Sequence, residues 1–150
     1  MPIKKSKVKC RYVLGFAFSQ DLKQVLLIRK CRPLWQEGKL NGLGGKIESR
    51  ESAVSAMVRE FNEESGTLTR PHEWQLRLRM RNQYVDISVF ATSLAPARLA
   101  KAAAFRGTAE RPRLVSVQSL PHDCIDNLHW LIPFACDVTA VSAEVKITEK

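Results

Sequence analysis

The chain has 150 residues, 45% of them apolar and 26% charged, with a formal net charge of +9. That is one domain's worth of chain with enough apolar surface to build a core, which excludes disorder over most of its length. It contains no run near the ~20 apolar residues of a membrane helix, and its basic start, Met1 to Lys7, leads into no apolar stretch of a secretory signal. The four cysteines, Cys10, Cys31, Cys124 and Cys136, show no CxxC spacing and read as reduced thiols of a cytoplasmic protein.

In chain order, Lys9 to Ser19 mixes aromatic and β-branched residues and predicts a strand. A turn at Asp21 to Lys23 hairpins it to a buried strand, Gln24 to Arg29. Pro33, Gly38, Asn41 and Gly42 make 32–43 a loop. A helix follows from about Ser52 to Glu64, stopped by Gly66. Trp74 to Met80 alternates and predicts a half-buried strand, with Tyr84 to Ser93 as its neighbour. Residues 95–111 read as a surface loop with some helical content, 113–117 as a short strand, and 127–135 as an apolar helix. The tail from Val138 is open between strand and frayed end. Strands before and after a central helix give an α/β or α+β class with a mixed sheet.

Charge is unevenly placed. Residues 1–32 hold nine Lys/Arg against one acid, whereas 33–66 hold four against six Glu. A basic chain with an acidic island suits a polyanion that meets carboxylates through a divalent cation. Charge alone reads more simply as a solvated basic surface. On its acids alone the helix leaves both readings open, and a solvated acidic face with ordinary charge pairs is the simpler one. Glu60, Glu63 and Glu64 fall within a ~100° arc of it, while Val54, Val58 and Phe61 share another arc and face the core. Three carboxylates at i, i+3 and i+4 repel unless cations sit among them, and hard oxygen donors suit Mg²⁺ or Mn²⁺. Arg59 stands beside the cluster to orient a carboxylate, and Gly44 and Gly45 allow the backbone to come close.

The segment 45–67, GKIESRESAVSAMVREFNEESGT, resembles the Nudix box in its Gly45, Glu51, Arg59-Glu60, Phe61, Glu63-Glu64 and Gly66. It departs from the box at Thr67, where a larger apolar residue is usual. The resemblance implies one Nudix domain over 1–150, with a mixed β-sheet sandwiched between α-helices. It also implies a Mg²⁺- or Mn²⁺-dependent hydrolase that cleaves a phosphoanhydride in a nucleotide or another nucleoside-diphosphate-linked small molecule, releasing a nucleoside monophosphate. Glu60 and Glu64 would then be the main metal ligands, Glu63 and the Gly44 carbonyl would assist, and Glu51 would support the metal-bound waters and the loop. The general base would be a box glutamate or an acid outside it, with Glu110 the first candidate and metal ligand and Glu48 the second.

A softer resemblance to MutT-type oxidised-purine nucleoside triphosphatases runs through Leu26 to Lys30, Gly38 to Gly45, Asp86 to Thr92, Glu110-Arg111-Pro112 and Asp126-Asn127. It implies that Asn41, Asp126 and Asn127 read a base edge. The late acidic pair of that subgroup is Asp-Asn here. Lys30 and Arg32 are candidates for the phosphates, and Trp35, Trp130 and Tyr84 for stacking on a base. Tyr84 lies 17 residues beyond Thr67, a spacing similar to the tyrosine marker of dinucleoside polyphosphate hydrolases, whereas Asn82 stands where ADP-ribose hydrolases carry a proline. Dinucleoside polyphosphate cleavage is therefore the second reading. A non-enzymatic nucleotide or nucleic-acid binder, suggested by a pI of 9.7, is the third. The intact glutamates argue against that third reading, so neither a membrane nor nucleic acid is expected as a partner, and the oligomeric state is left open.

Overall fold

The computed structural model describes residues 9–137 and 143–148. Among the described residues eight strands form one mixed sheet: β1 (Cys10–Ser19), β2 (Gln24–Arg29), β3 (Leu40–Asn41), β4 (Leu43–Lys46), β5 (Gln75–Arg81), β6 (Val85–Leu94), β7 (Arg111–Ser116) and β8 (Ala143–Lys146). The order is β3-β2-β1-β6-β5-β8, with β4 also on β1 and β7 also on β2. β1 runs parallel to β6, and β5 parallel to β8; the other pairs are antiparallel. Among the described residues the helices are α1 (Ala53–Ser65), α2 (Pro96–Ala104) and α3 (Leu128–Cys136).

Two apolar layers fill the space on either side of the sheet. Phe16, Phe18, Leu78, Val89 and the inner face of α3 make one. Val13, Leu26, Phe90, Met57 and Phe61 of α1 and Leu99 of α2 make the other. This is the mixed sheet sandwiched between helices that the box implied.

α1 begins and ends as the sequence predicts. Ser52 is its N-cap, the hydroxyl accepting from the Ser55 N–H at 3.2 Å. Gly66 closes it in the left-handed conformation, φ 63°, which costs glycine nothing. Phe61 is fully buried and stacks edge-on against Trp74 at 5.1 Å, while Val54 and Val58 are half-buried. Thr67, the departure from the box, is buried too, so a β-branched residue fills the position.

Three expectations need correction. First, the stretch taken as a loop over 32–43 contains β3, and the glycines after it form β4 on β1. Backbone pairing with β1 and β2 overrides the low strand propensity of Gly and Asn there. Second, residues 96–104 are a helix rather than mainly loop: Pro96 stands in its first turn, and Leu99 and Ala102 are buried against the sheet. Third, β5 does not alternate throughout. A bulge between Leu76 and Leu78 leaves Leu76 39% exposed and buries Arg77 at 8%, where it donates to the Asp137 carbonyl. In the ambiguous tail, 143–146 is an edge strand, while 138–142 and 149–150 lie outside the described residues.

Candidate active site

β4 and α1 build the site together. Gly45 pairs with Val13 and lies against α1 at Glu60; a Cβ there would come within 2.6 Å of the Glu60 carboxylate. Gly44 is required for a different reason than the sequence suggested, because its Cβ would strike the Val13 carbonyl of β1. Its N–H donates to Glu64 Oε1 at 2.9 Å and ties the end of the helix to the strand.

Arg59 organises the entry to the cluster. Its Nε and Nη2 donate to the two oxygens of Glu51, both at 2.8 Å, and its Nη1 to Glu60 Oε1 at 2.8 Å. Nη2 also reaches the Lys46 carbonyl at 3.1 Å. Glu63 lies further out, its side chain 56% exposed and 3.5 Å from Arg59, and Glu48 is more exposed still. The fork holds the Glu51 carboxyl down at about 2, mainly through the Arg59 hydrogen bonds.

Glu64 sits in the opposite environment. It is 8% exposed, and burial pushes its carboxyl up to about 8, against a partial pull from Lys30 and with repulsion from Glu60 and Glu110. Burial also raises Glu60, more than Arg59 beside it can offset. Two desolvated, mutually repelling oxygen donors lack enough positive charge around them. The glycine cradle leaves no Cβ between strand and carboxylate. This donor set fits a hard divalent cation. Among the described residues no three His, Cys, Asp or Glu side chains are gathered into a finished metal cage.

Lys30, at the end of β2, stands close enough to lower both Glu64 and Glu60. Glu110, from the loop before β7, lies near enough to Glu64 to raise it. It is bound there: Oε1 accepts from Lys30 Nζ at 3.1 Å and Oε2 from the Cys31 N–H at 2.8 Å. Arg32 and Trp35 are exposed, Trp35 at 64% in a short turn over Leu34–Gln36.

Leu40 bridges to Cys124, and the Ile125 N–H donates to the Leu40 carbonyl at 2.9 Å, which brings the segment leading into Asp126 and Asn127 alongside β3, the strand that carries Asn41. Asn41 is engaged locally: its Nδ2 donates to Gln36 Oε1 at 3.0 Å and its Oδ1 accepts from the Gly42 N–H at 2.8 Å. Asp126 is exposed. Asn127, at the N-cap of α3, makes no capping bond, and its buried Oδ1 has no hydrogen-bond partner. Trp130 is 46% exposed. Sequence reasoning missed Gln36 and the Arg29–Asp123 pair at 2.6 Å that pins this end. Arg29 and Asp123 are too far apart in sequence to pair by pattern, and Gln36 carried no motif that marked it.

The chain from 9 to 126 matches the family model described as NUDIX domain. The chain belongs to the Nudix family. It is a hydrolase of phosphoanhydride bonds. No curated protein matches it. Solved structures do. A MutT structure from work on the Aliivibrio salmonicida and Vibrio cholerae proteins superposes with a TM-score of 0.64 at 20% identity, covering 85% of this chain and 97% of that one. A NUDIX hydrolase from Nitrosomonas europaea gives 0.68 at 16%, covering 94% and 80%. An ADP-ribose pyrophosphatase from Streptococcus suis gives 0.64 at 15%, covering 91% and 99%. At these identities the likeness is one of fold. Among the described residues no helix is long and apolar enough to cross a membrane.

Proposed function

We propose that this Nudix protein is a Mg²⁺-dependent pyrophosphohydrolase of nucleoside di- or triphosphate derivatives and releases a nucleoside monophosphate. The observation that carries the reading is the buried, electrostatically unbalanced pair Glu60 and Glu64 against the bare backbone of Gly44 and Gly45. Glu60 and Glu64, assisted by Glu63 and the Gly44 carbonyl, would hold the cation. When bound, it neutralises the diphosphate and makes a water acidic enough to attack phosphorus.

The remaining steps belong to the chain's own side chains. Arg59 fixes one oxygen of Glu60 and is itself fixed by Glu51, so the carboxylate needs no reorientation when substrate arrives. Lys30, held by Glu110, supplies a positive charge for the phosphates, with Arg32 as an outer contact. Glu110 takes up a proton from the attacking water once substrate phosphate has drawn Lys30 away. A base docks between Asn41 and Asn127, where the unpartnered Asn127 Oδ1 accepts from a base N–H, Asp126 offers a second acceptor, and Trp35 covers the ring. MutT and ADP-ribose pyrophosphatase among the structural neighbours support a nucleoside-diphosphate derivative as substrate class.

The test is release of phosphate or pyrophosphate from a nucleotide panel, with Mg²⁺ and with chelator. Turnover of one nucleotide class in Mg²⁺, abolished by EDTA, is expected. Full turnover in EDTA overturns the reading. The dinucleoside polyphosphate alternative loses ground, because Tyr84 lines a cavity at the β5–β6 turn that includes none of the box residues.

A further inference from the structure

At the β5–β6 turn lies an open depression of about 720 Å³, lined among others by Lys9, Arg81, Asn82, Tyr84, Glu144 and Lys146. It is removed from the box glutamates. Gly45 faces Val13 on β1, and Lys9 lies four residues earlier, roughly 13 Å along an extended strand. The floor is rigid. Asn82 Oδ1 accepts from the N–H groups of Tyr84 and Val85, both at 2.8 Å. The Tyr84 carbonyl accepts from the Cys10 N–H at 3.0 Å, and the Arg81 carbonyl from the Ile147 N–H at 2.7 Å.

The charges around this floor do not cancel. Arg81 takes both nearby acids, Glu144 at 3.2 Å and Asp86 at 3.5 Å, and Arg79 adds a second contact to Asp86 at 2.7 Å. Among the described residues Lys9 and Lys146 make no ion pair, and both remain to meet an anion. The strand register sets Arg11, Asp86, Arg81 and Lys146 in one row across β1, β6, β5 and β8. Three cations around one carboxylate leave the row net positive. Tyr84 offers a ring, 42% exposed, on a backbone that is fixed before any ligand arrives. A flat ring beside a line of cations is how single-stranded nucleic acid is held without sequence readout.

We propose that this end of the sheet is an accessory site for a single-stranded nucleic-acid segment, with one base on Tyr84 and the flanking phosphates on Lys9 and Lys146. This differs from the sequence expectation that nucleic acid is no partner. It does not depend on which nucleotide the active site hydrolyses.

The test is fluorescence anisotropy of a labelled single-stranded oligonucleotide titrated with the full chain in EDTA at several salt concentrations. The parent should bind with a steep salt dependence. Lys9→Ala/Lys146→Ala should weaken binding at low salt by about tenfold and flatten the log–log salt slope by about 1.4, or ~0.7 per phosphate contact. Tyr84→Ala should cost about tenfold, and Tyr84→Phe should bind like the parent, since stacking needs only the ring. Nucleotide hydrolysis should be unchanged in all three variants, which shows that they fold. Two results overturn the proposal: variants that bind as the parent does, or a mononucleotide that competes as well as the oligonucleotide at equal nucleotide concentration.

Discussion

The two ends of the box treat the same side chain in opposite ways. At the loop end, Glu51 lies in the fork of Arg59 and stays ionised far below its usual range, at about 2. On the inner face of α1, Glu64 is buried near like charges, and burial lifts it to about 8 although Lys30 and the Gly44 N–H pull the other way. Glu51 is satisfied by the protein itself. Glu64 has one backbone donor from Gly44 and is left short of positive charge. The proposed function therefore gives the two glutamates of one motif different parts, Glu51 in the frame and Glu64 at the cation.

The strongest way to break that comparison is Glu64→Gln. The amide keeps the shape and can still accept from Gly44, but it carries no charge for a cation. The expected loss in kcat with Mg²⁺ is about a hundredfold or more, given the weight of metal-held charge in such reactions. A variant that keeps most of its activity removes Glu64 from the metal. The protein should stay folded, because a neutral amide replaces a carboxyl whose charged form burial already disfavours.

A next, smaller effect separates phosphate from base. Lys30→Ala should raise KM for every nucleotide alike, because a phosphate contact carries no base information. Asn127→Ala should instead narrow the ratio of kcat/KM between purine and pyrimidine substrates by ~1–3 kcal/mol, the range for a buried hydrogen bond lost. Asn41→Ala should narrow it less, since both ends of that amide already have partners within the chain. An unchanged ratio in both variants means that the site grips phosphates alone.

The box was legible because its chemistry is local. Glu51, Arg59, Glu60, Glu63 and Glu64 belong to one loop and one helix, so spacing alone puts them together, and the capping Ser52 and Gly66 mark the helix ends. The glycines were visible, but not their reason: Gly44 serves the packing of β4 on β1, a contact across 31 residues that no local pattern announces. The base end was half legible. Asn41 and Asp126-Asn127 were picked out by resemblance, yet Gln36 and Asp123, which hold that end, carry no signal of their own. The bulge in β5 escaped because alternation of residue types continues through it while the backbone does not.

Acidity offers a finer probe of the two environments. A carboxyl raised on folding binds more protons folded than unfolded, so its contribution to stability is present at low pH and is lost as pH rises from its unfolded value through about 8. For Glu64 in metal-free protein, melting temperature should fall over that window. Glu64→Gln should flatten the fall, by about 2–4 °C for each kcal/mol relieved. Mg²⁺ should flatten it in the parent as well. Glu51 behaves inversely: its contribution is present above the unfolded value and disappears as pH drops toward about 2. Thermal scans from pH 3 to 9, with and without metal, separate the two. A parent that melts identically at pH 5 and 8 without metal contradicts the burial of an acid at position 64.

The smallest effect tests whether an arginine-held glutamate belongs to the frame wherever it occurs. Glu73 is pinned by Arg98 and accepts from the Arg70 N–H at 2.8 Å, well away from the box helix's acidic face, and its carboxyl is also held near about 2, chiefly by the Arg98 hydrogen bond. Arg98 is 38% exposed and Glu73 24%, so solvent screens the pair and its worth is about 0.5–1 kcal/mol. Arg98 also donates to the Leu68 carbonyl at 2.9 Å, which fastens α2 to the segment after α1. The contribution is present at neutral pH and fades as Glu73 takes up its proton on acidification. Arg98→Ala should therefore lower the melting temperature by a few degrees at pH 7, at about 2–4 °C per kcal/mol, and by less at pH 3. It should leave kcat and KM untouched. Arg59→Ala should lower stability by a similar amount but also reduce kcat, because Glu60 loses its orienting donor. Equal kinetic losses in the two variants would erase the distinction, and Arg59 would then be one more surface clamp.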